Sequence, residues 1–92
     1  MKVPYETGRL LMKLSIRFFS TYKDVTGVDT LVVERPGRAS VEDLLEYILE
    51  QYPGLKRFRK GALIAVNKEF SDLEYELSDG DEVAFMPPVG GG

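Results

Sequence analysis

From Lys13 to Phe18 apolar and polar residues alternate, with Leu14, Ile16 and Phe18 on one face of an extended chain and Lys13, Ser15 and Arg17 on the other. That is the pattern of a half-buried strand. Phe19 follows Phe18 directly, so it falls on the polar face. The next stretch, STYKDVTGVD, has the composition of a turn or loop, and TLVVE then reads as a β-branched strand that pairs with the first. RPGR closes it. From Ser40 the period changes: Val41, Leu44, Leu45, Ile48, Leu49 and Tyr52 recur at helical spacing, with Asp43 where a capping-box acid would sit. Pro53 disfavours helical backbone at Tyr52 and Gly54 is a natural stop, so the predicted helix runs about three turns.

ALIAVN is a continuous apolar run that fits either an interior strand or a buried helical segment, and its brevity favours the strand. KEFSD reads as a turn. In LSDGDEVAFM the residues Ser78, Asp79 and Gly80 form a turn ahead of a last strand, with Val83 and Phe85 on one face and Ala84 and Met86 on the other. Strand, strand, helix, strand, strand, with one amphipathic helix needing a sheet to cover, predicts an α+β fold. The expected arrangement is a ubiquitin-like β-grasp, a mixed sheet with the main helix packed on one face. The expected division is an N-terminal extension over 1–11, where Pro4 and Gly8 interrupt any period, a domain over 12–86 and a flexible tail over 87–92. Met12 offers an alternative start.

Composition narrows the chemistry. A chain of 92 residues makes one domain, and at that size only about 60–65% of the unfolded surface is hidden, so a single modest core is expected. Cysteine and histidine are both absent. That excludes thiol nucleophiles, disulfides, Cys/His metal sites and imidazole general bases, and no metal site is expected. A net charge of −3 argues against a nucleic-acid partner. No stretch resembles a signal peptide and no apolar run approaches the roughly 20 residues of a membrane span, so a cytoplasmic location away from membranes is expected. In LKRFRKG the cations Lys56, Arg57, Arg59 and Lys60 flank Phe58. They are either a solvated loop after the helix or a docking patch for an acidic partner. Glu42, Asp43, Glu46 and Glu50 read as a solvated helix face rather than an acid/base pair.

The chain closes with AFMPPVGGG. Pro87 and Pro88 cannot donate to a ladder and stiffen the exit from the sheet, and Val89 leads away from the body. Gly90, Gly91 and Gly92 lack Cβ atoms and suit a stub thin enough to thread a channel. The expected α-carboxylate of Gly92 is ionised at neutral pH and a poor electrophile, so chemistry there needs activation by another protein, most simply as an acyl adenylate. The domain is then a carrier. A glycine linker or cloning scar is the alternative.

LSDGDEVAFMPPVGGG resembles the C-terminal signature of the MoaD-like sulfur carriers, the small subunits of molybdopterin synthase, within the MoaD/ThiS β-grasp family. KLSIRFF, the SVEDLLEYI helix and IAVN extend the likeness more loosely to most of the chain from Met12. The extension before Met12, Gly90 and Met86 depart from the family pattern, whereas the terminal glycine pair does not. The related thiamin-pathway carriers typically lack the two prolines. The resemblance implies that an adenylating enzyme of the E1-like, MoeB-like kind uses ATP and magnesium to activate Gly92, the end of the Gly91–Gly92 pair. A sulfur donor then converts the adenylate to a thiocarboxylate. The tail would enter the large subunit of the synthase, a MoaE-like protein, where the sulfur builds a dithiolene on a pyranopterin precursor. No cofactor would be bound by this chain and it would not be catalytic alone.

Strand phase adds an interface. If Leu14, Ile16 and Phe18 face the helix, Phe19 points away, and Ala84 and Met86 share that outer face. Phe70, in the turn after IAVN, is expected to join them in an apolar docking surface that continues into Pro87, Pro88, Val89 and Gly90. Against it stands a reading in which these aromatics fold over a core edge. A ubiquitin-like modifier joined through Gly92 to lysines, a carrier for thiamin synthesis or tRNA thiolation, and an interaction module without chemistry remain alternatives. The sequence leaves open whether the cofactor carries molybdenum or tungsten.

Overall fold

Alternation carries through β1 (Leu11–Phe18): Met12, Leu14, Ile16 and Phe18 are buried and the residues between them exposed. The computed structural model describes residues 11–88. After β1 come α1 (Thr21–Thr26), β2 (Thr30–Pro36), α2 (Val41–Gln51), a 3-10 helix (Pro53–Phe58), β3 (Leu63–Val66), β4 (Glu69–Phe70) and β5 (Glu82–Met86). The five strands form one sheet in the order β2-β1-β5-β3-β4. β1 and β5 run parallel at its centre and the other pairs are antiparallel. Parallel neighbours cannot be joined by a tight turn, and α2 lies in the connection between them. This is the mixed sheet with one main helix that the pattern predicts.

The capping box at the start of α2 is formed on both sides: Asp43 N–H donates to Ser40 Oγ at 3.1 Å and Ser40 N–H donates to Asp43 Oδ2 at 3.0 Å. Val41, Leu44, Leu45, Ile48 and Leu49 of α2 are buried, in one core with Leu14, Ile16, Val83 and Phe85 of the central strands. Aromatic rings close one end of that core. Phe85 stacks between Phe18 and Tyr22, with centroids 6.1 and 6.4 Å away, and Tyr52 meets Phe18 edge-on at 5.9 Å.

Three segments differ from the sequence expectation. STYKDVTGVD is not a loop, because Thr21–Thr26 form α1, closed by Gly27 at φ 78°. Six residues are too few to display a helical stripe, and one buried side chain, Tyr22, holds the turn to the core. LKRFRKG is not simply a solvated loop either. Its first half belongs to the 3-10 helix, with Leu55 buried and Phe58 packed against the core. KEFSD contains the two residues of β4, which pair with β3 through Ala65↔Phe70 and Val66↔Glu69. Two-residue strands leave no alternation to read.

Tyr22 links α1 to the 3-10 helix by donating its hydroxyl proton to the Phe58 carbonyl at 2.7 Å. Burial raises the Tyr22 phenol above its ordinary pKa, and the positive charge of Arg59 offsets part of that rise. The unfolded chain therefore loses this proton at lower pH than the native one does. The contribution is complete below the ordinary phenol range near pH 10 and is lost as pH rises through the elevated native value. Tyr22→Phe is expected to lower stability at neutral pH by about 1 kcal/mol and to flatten the decline above about pH 10, measured by urea unfolding across pH. A decline of unchanged steepness would assign the alkaline loss to other groups.

Candidate functional site

The SDGD segment does more than turn the chain. Lys13 N–H donates to Asp79 Oδ1 at 2.7 Å, and Gly80 N–H donates to the Lys13 carbonyl at 2.8 Å, so the segment is clipped to β1. Asp81 turns the other way, accepting from Ser78 N–H at 2.8 Å and from the Asn67 side-chain amide at 2.9 Å. Asn67 Oδ1 in turn accepts from Glu82 N–H at 3.0 Å. Asn67 and Lys68 have φ of 51° and 73°, as the two central residues of a type I′ hairpin turn require. Two carboxylates and one amide thus tie the start of β5 to β1 and to the β3–β4 hairpin. The phase of β5 follows, with Val83 and Phe85 inward and Ala84 and Met86 outward.

Register then assembles a row across the sheet. Phe70 stands opposite Ala65, Ala65 opposite Ala84, and Ala84 opposite Arg17, all on the face away from α2. Small side chains on the two inner strands lie between larger ones at the sides, which makes the face concave. The hollow holds about 260 Å³ and is lined by Phe19, Ala65, Phe70, Ala84 and Met86 with Arg17, Lys68 and Glu82 around them. Phe70 is 72% exposed and Phe19 41%. Neither folds over a core edge. The Arg17 guanidinium lies 5.3 Å from the Phe19 ring centroid and 3.8 Å from Glu82, holding the charged side of the hollow in place.

Ser20 adds a local cause for the position of Phe19: its φ of 54° and ψ of −126° turn the chain sharply between β1 and α1. A non-glycine residue there is strained by about 1–3 kcal/mol. Phe19 N–H still donates to the Phe85 carbonyl at 3.1 Å, so the ring leaves the sheet from a fixed root.

The tail begins where β5 ends, beside the hollow. Met86 lines the hollow and ends β5, Pro87 is half-buried and Pro88 exposed. Pro88 crosses Gly61, where an added Cβ would come within 3.0 Å of the proline Cγ and where φ is 80°. Of the residues expected at the site, Phe19, Phe70, Met86, Pro87 and Pro88 are therefore brought to one region. Val89, Gly90, Gly91 and Gly92 lie outside the described residues. Ala65, Arg17 and Lys68 were not singled out by sequence. Outward parity on β1 and β3 would have placed the first two, but only the pairing shows that Ala65 and Ala84 form one floor. Among the described residues no group of three Asp or Glu side chains is placed to hold a metal ion, and no helix is long and apolar enough to cross a membrane.

Known proteins are similar to this chain in sequence and in fold. The molybdopterin synthase sulfur carrier subunit of Chlamydomonas reinhardtii is 37% identical over 84 residues, spanning 88% of this chain and 100% of that protein. Subunit 1 of the molybdopterin-converting factor from Helicobacter pylori, solved in complex with subunit 2, is 30% identical with a TM-score of 0.64, covering 88% of this chain and 100% of its own. Small archaeal modifier protein 1 of Haloferax volcanii superposes with a TM-score of 0.78 at 26% identity, over 85% of this chain and 99% of that one. The two prolines, the closing glycines and every strand but the first part of β1 thus sit in a stretch matched by the ThiS family model over residues 16–92, and this chain belongs to the ThiS family.

Proposed function

We propose that this chain is the sulfur carrier subunit of a molybdopterin synthase, loaded at the α-carboxylate of Gly92. An adenylating enzyme supplies ATP and magnesium; a carboxylate oxygen attacks the α-phosphorus, pyrophosphate leaves and an acyl adenylate forms. Sulfur from a donor displaces AMP, leaving a thiocarboxylate. In the large subunit that sulfur passes to the pyranopterin precursor, and water restores the carboxylate. A cytoplasmic setting, with ATP at hand for the adenylating enzyme, fits this reading. Gly90, Gly91 and Gly92 contribute slenderness, and Pro87 and Pro88 aim them.

The observation that carries this reading is that Met86 both lines the apolar hollow and leads directly into the tail. A partner that seats Phe19, Phe70 and Met86 has the tail delivered at a fixed place. The Helicobacter pylori subunit 1 complex, formed by a relative with the same fold, supports the large subunit as that partner. The deciding experiment incubates the protein with its host's adenylating enzyme, ATP and a sulfur donor, then maps thiol alkylation by mass spectrometry. Exchange of oxygen for sulfur adds nearly the mass of oxidising one of the three methionines, but a chain without cysteine offers the alkylator no native thiol. Alkylation at Gly92 is expected. Its absence, with the enzyme active on another carrier, would reduce the tail to a linker.

A second reading rests on the small archaeal modifier, whose TM-score of 0.78 is level with the 0.77 of a converting-factor subunit 1 from Pyrococcus furiosus. On that reading the adenylate is passed to lysines of other proteins. Isopeptide-linked species of higher mass in host extracts would establish it.

A further inference from the structure

Lys56, Arg57 and Lys60 are the closest cluster among the cations the carrier reading leaves without a role. The 3-10 helix and the turn after it divide LKRFRKG by direction. Leu55 is buried and Phe58 half-buried beside Tyr22, with ring centroids 6.5 Å apart. Arg59 turns back to α2, its guanidinium 2.9 Å from Glu46 and 3.5 Å from Glu42. Lys56, Arg57 and Lys60 are left on the surface, exposed and without an ion-pair partner among the described residues. Arg57 is partly held, its guanidinium 5.1 Å from the Phe58 ring centroid. Three like charges within five residues repel one another, and none of them is offset by an ion pair among the described residues.

Their place gives them a use. Gly61 follows Lys60 directly and carries Pro88 across it, so Lys60 stands at the root of the tail, with Lys56 and Arg57 in the 3-10 helix just before it. Four residues separate Pro88 from Gly92, a reach of at most about 14 Å. Any protein that takes Gly92 into an active site must bring the surface around its channel mouth close to this segment. We propose that Lys56, Arg57 and Lys60 form a basic docking rim for acidic side chains around the mouth of the channel in the enzyme that activates Gly92. The inference rests on the carrier reading above. The carrier has a net charge of −3, and activation brings its carboxylate towards the phosphates of ATP, so approach is opposed electrostatically. A local positive rim turns the right end of an acidic protein towards its partner. The apolar hollow holds the complex once formed. Charges of this kind act on encounter rate and salt dependence more than on the bound state.

The test measures ATP-dependent pyrophosphate release by the adenylating enzyme at low and high salt, using the whole chain, the charge-reversed K56E/R57E/K60E and the neutral K56Q/R57Q/K60Q. All three side chains are exposed, and equal thermal midpoints verify folding. At low salt the reversed variant should lose about 10-fold or more in kcat/KM with kcat at saturation unchanged, in the range expected of steering. The neutral variant should fall between and show a flatter salt dependence than the natural chain. Equal kcat/KM for all three would overturn the rim, as would a loss confined to binding of heparin or single-stranded RNA, which would assign the patch to nucleic acid. A natural chain that is not adenylated, by an enzyme active on another carrier, would instead overturn the carrier reading, so the two failures are distinguishable.

Discussion

Phe70→Glu is expected to weaken binding to the large subunit of the synthase by about 30-fold or more while the thermal midpoint moves by only a few degrees. Phe70 is 72% exposed on a two-residue edge strand, so the folded chain alone loses little when the ring goes, and surface changes of this kind usually stay within about 0.5 kcal/mol. In a complex the ring is one wall of the hollow. Aromatic residues near the centre of an interface often contribute about 2 kcal/mol or more each, and an unpaired carboxylate buried in its place adds a desolvation cost. Titration calorimetry with the large subunit, beside thermal unfolding of the free carrier, separates the two effects. Unchanged affinity would remove the hollow from the interface. A midpoint lowered by more than about 10 °C would make Phe70 a structural residue.

Phe85→Ala acts in the opposite sense. Phe85 is fully buried on β5, between the rings of Phe18 and Tyr22. Removing it leaves a cavity that neither ring can fill without leaving its own contacts, for a cost of about 3–5 kcal/mol. A domain of this size holds about 5–14 kcal/mol in all. The variant should unfold at much lower urea concentration with an unchanged slope, and its midpoint should drop by about 15–30 °C. A loss under about 1 kcal/mol would mean that the aromatic stack collapses freely and does not hold α1 to the sheet. Because Ala84 and Met86 flank Phe85 on the opposite face, loss of partner binding in this variant would follow unfolding rather than contact.

The two substitutions separate because strand parity does. Neighbours on β5 serve opposite faces, the core through Val83 and Phe85 and the hollow through Ala84 and Met86. That parity was legible in the linear pattern, as was the phase of β1, which sends Phe19 outward. The main helix was legible from end to end, because its stripe, its Ser40 and Asp43 cap and its Pro53 stop are all local. The glycine tail and its two prolines could also be read directly, since chain stiffness and bulk are properties of the residues themselves.

Other features depended on partners far along the chain. α1 forms because Tyr22 finds Phe58 and Phe85, and no local period announces a helix of six residues. Asp81 carried no signal of its own in the sequence, and its role comes from Asn67, 14 positions away and within 2.9 Å of it. The basic residues of LKRFRKG were visible as a group, but that Arg59 is the one neutralised was decided by α2, and that the segment after them meets Pro88 by the path of β5. The hollow itself is a property of register: Ala65 and Ala84 are unremarkable small residues until hydrogen bonding sets them side by side between Phe70 and Arg17. Sequence by itself determined what depends on residues within a turn or two of one another, namely periodicity, capping and the character of the tail. Only the tertiary structure decided which outward residues meet, because cross-strand register is set by hydrogen bonds between distant segments.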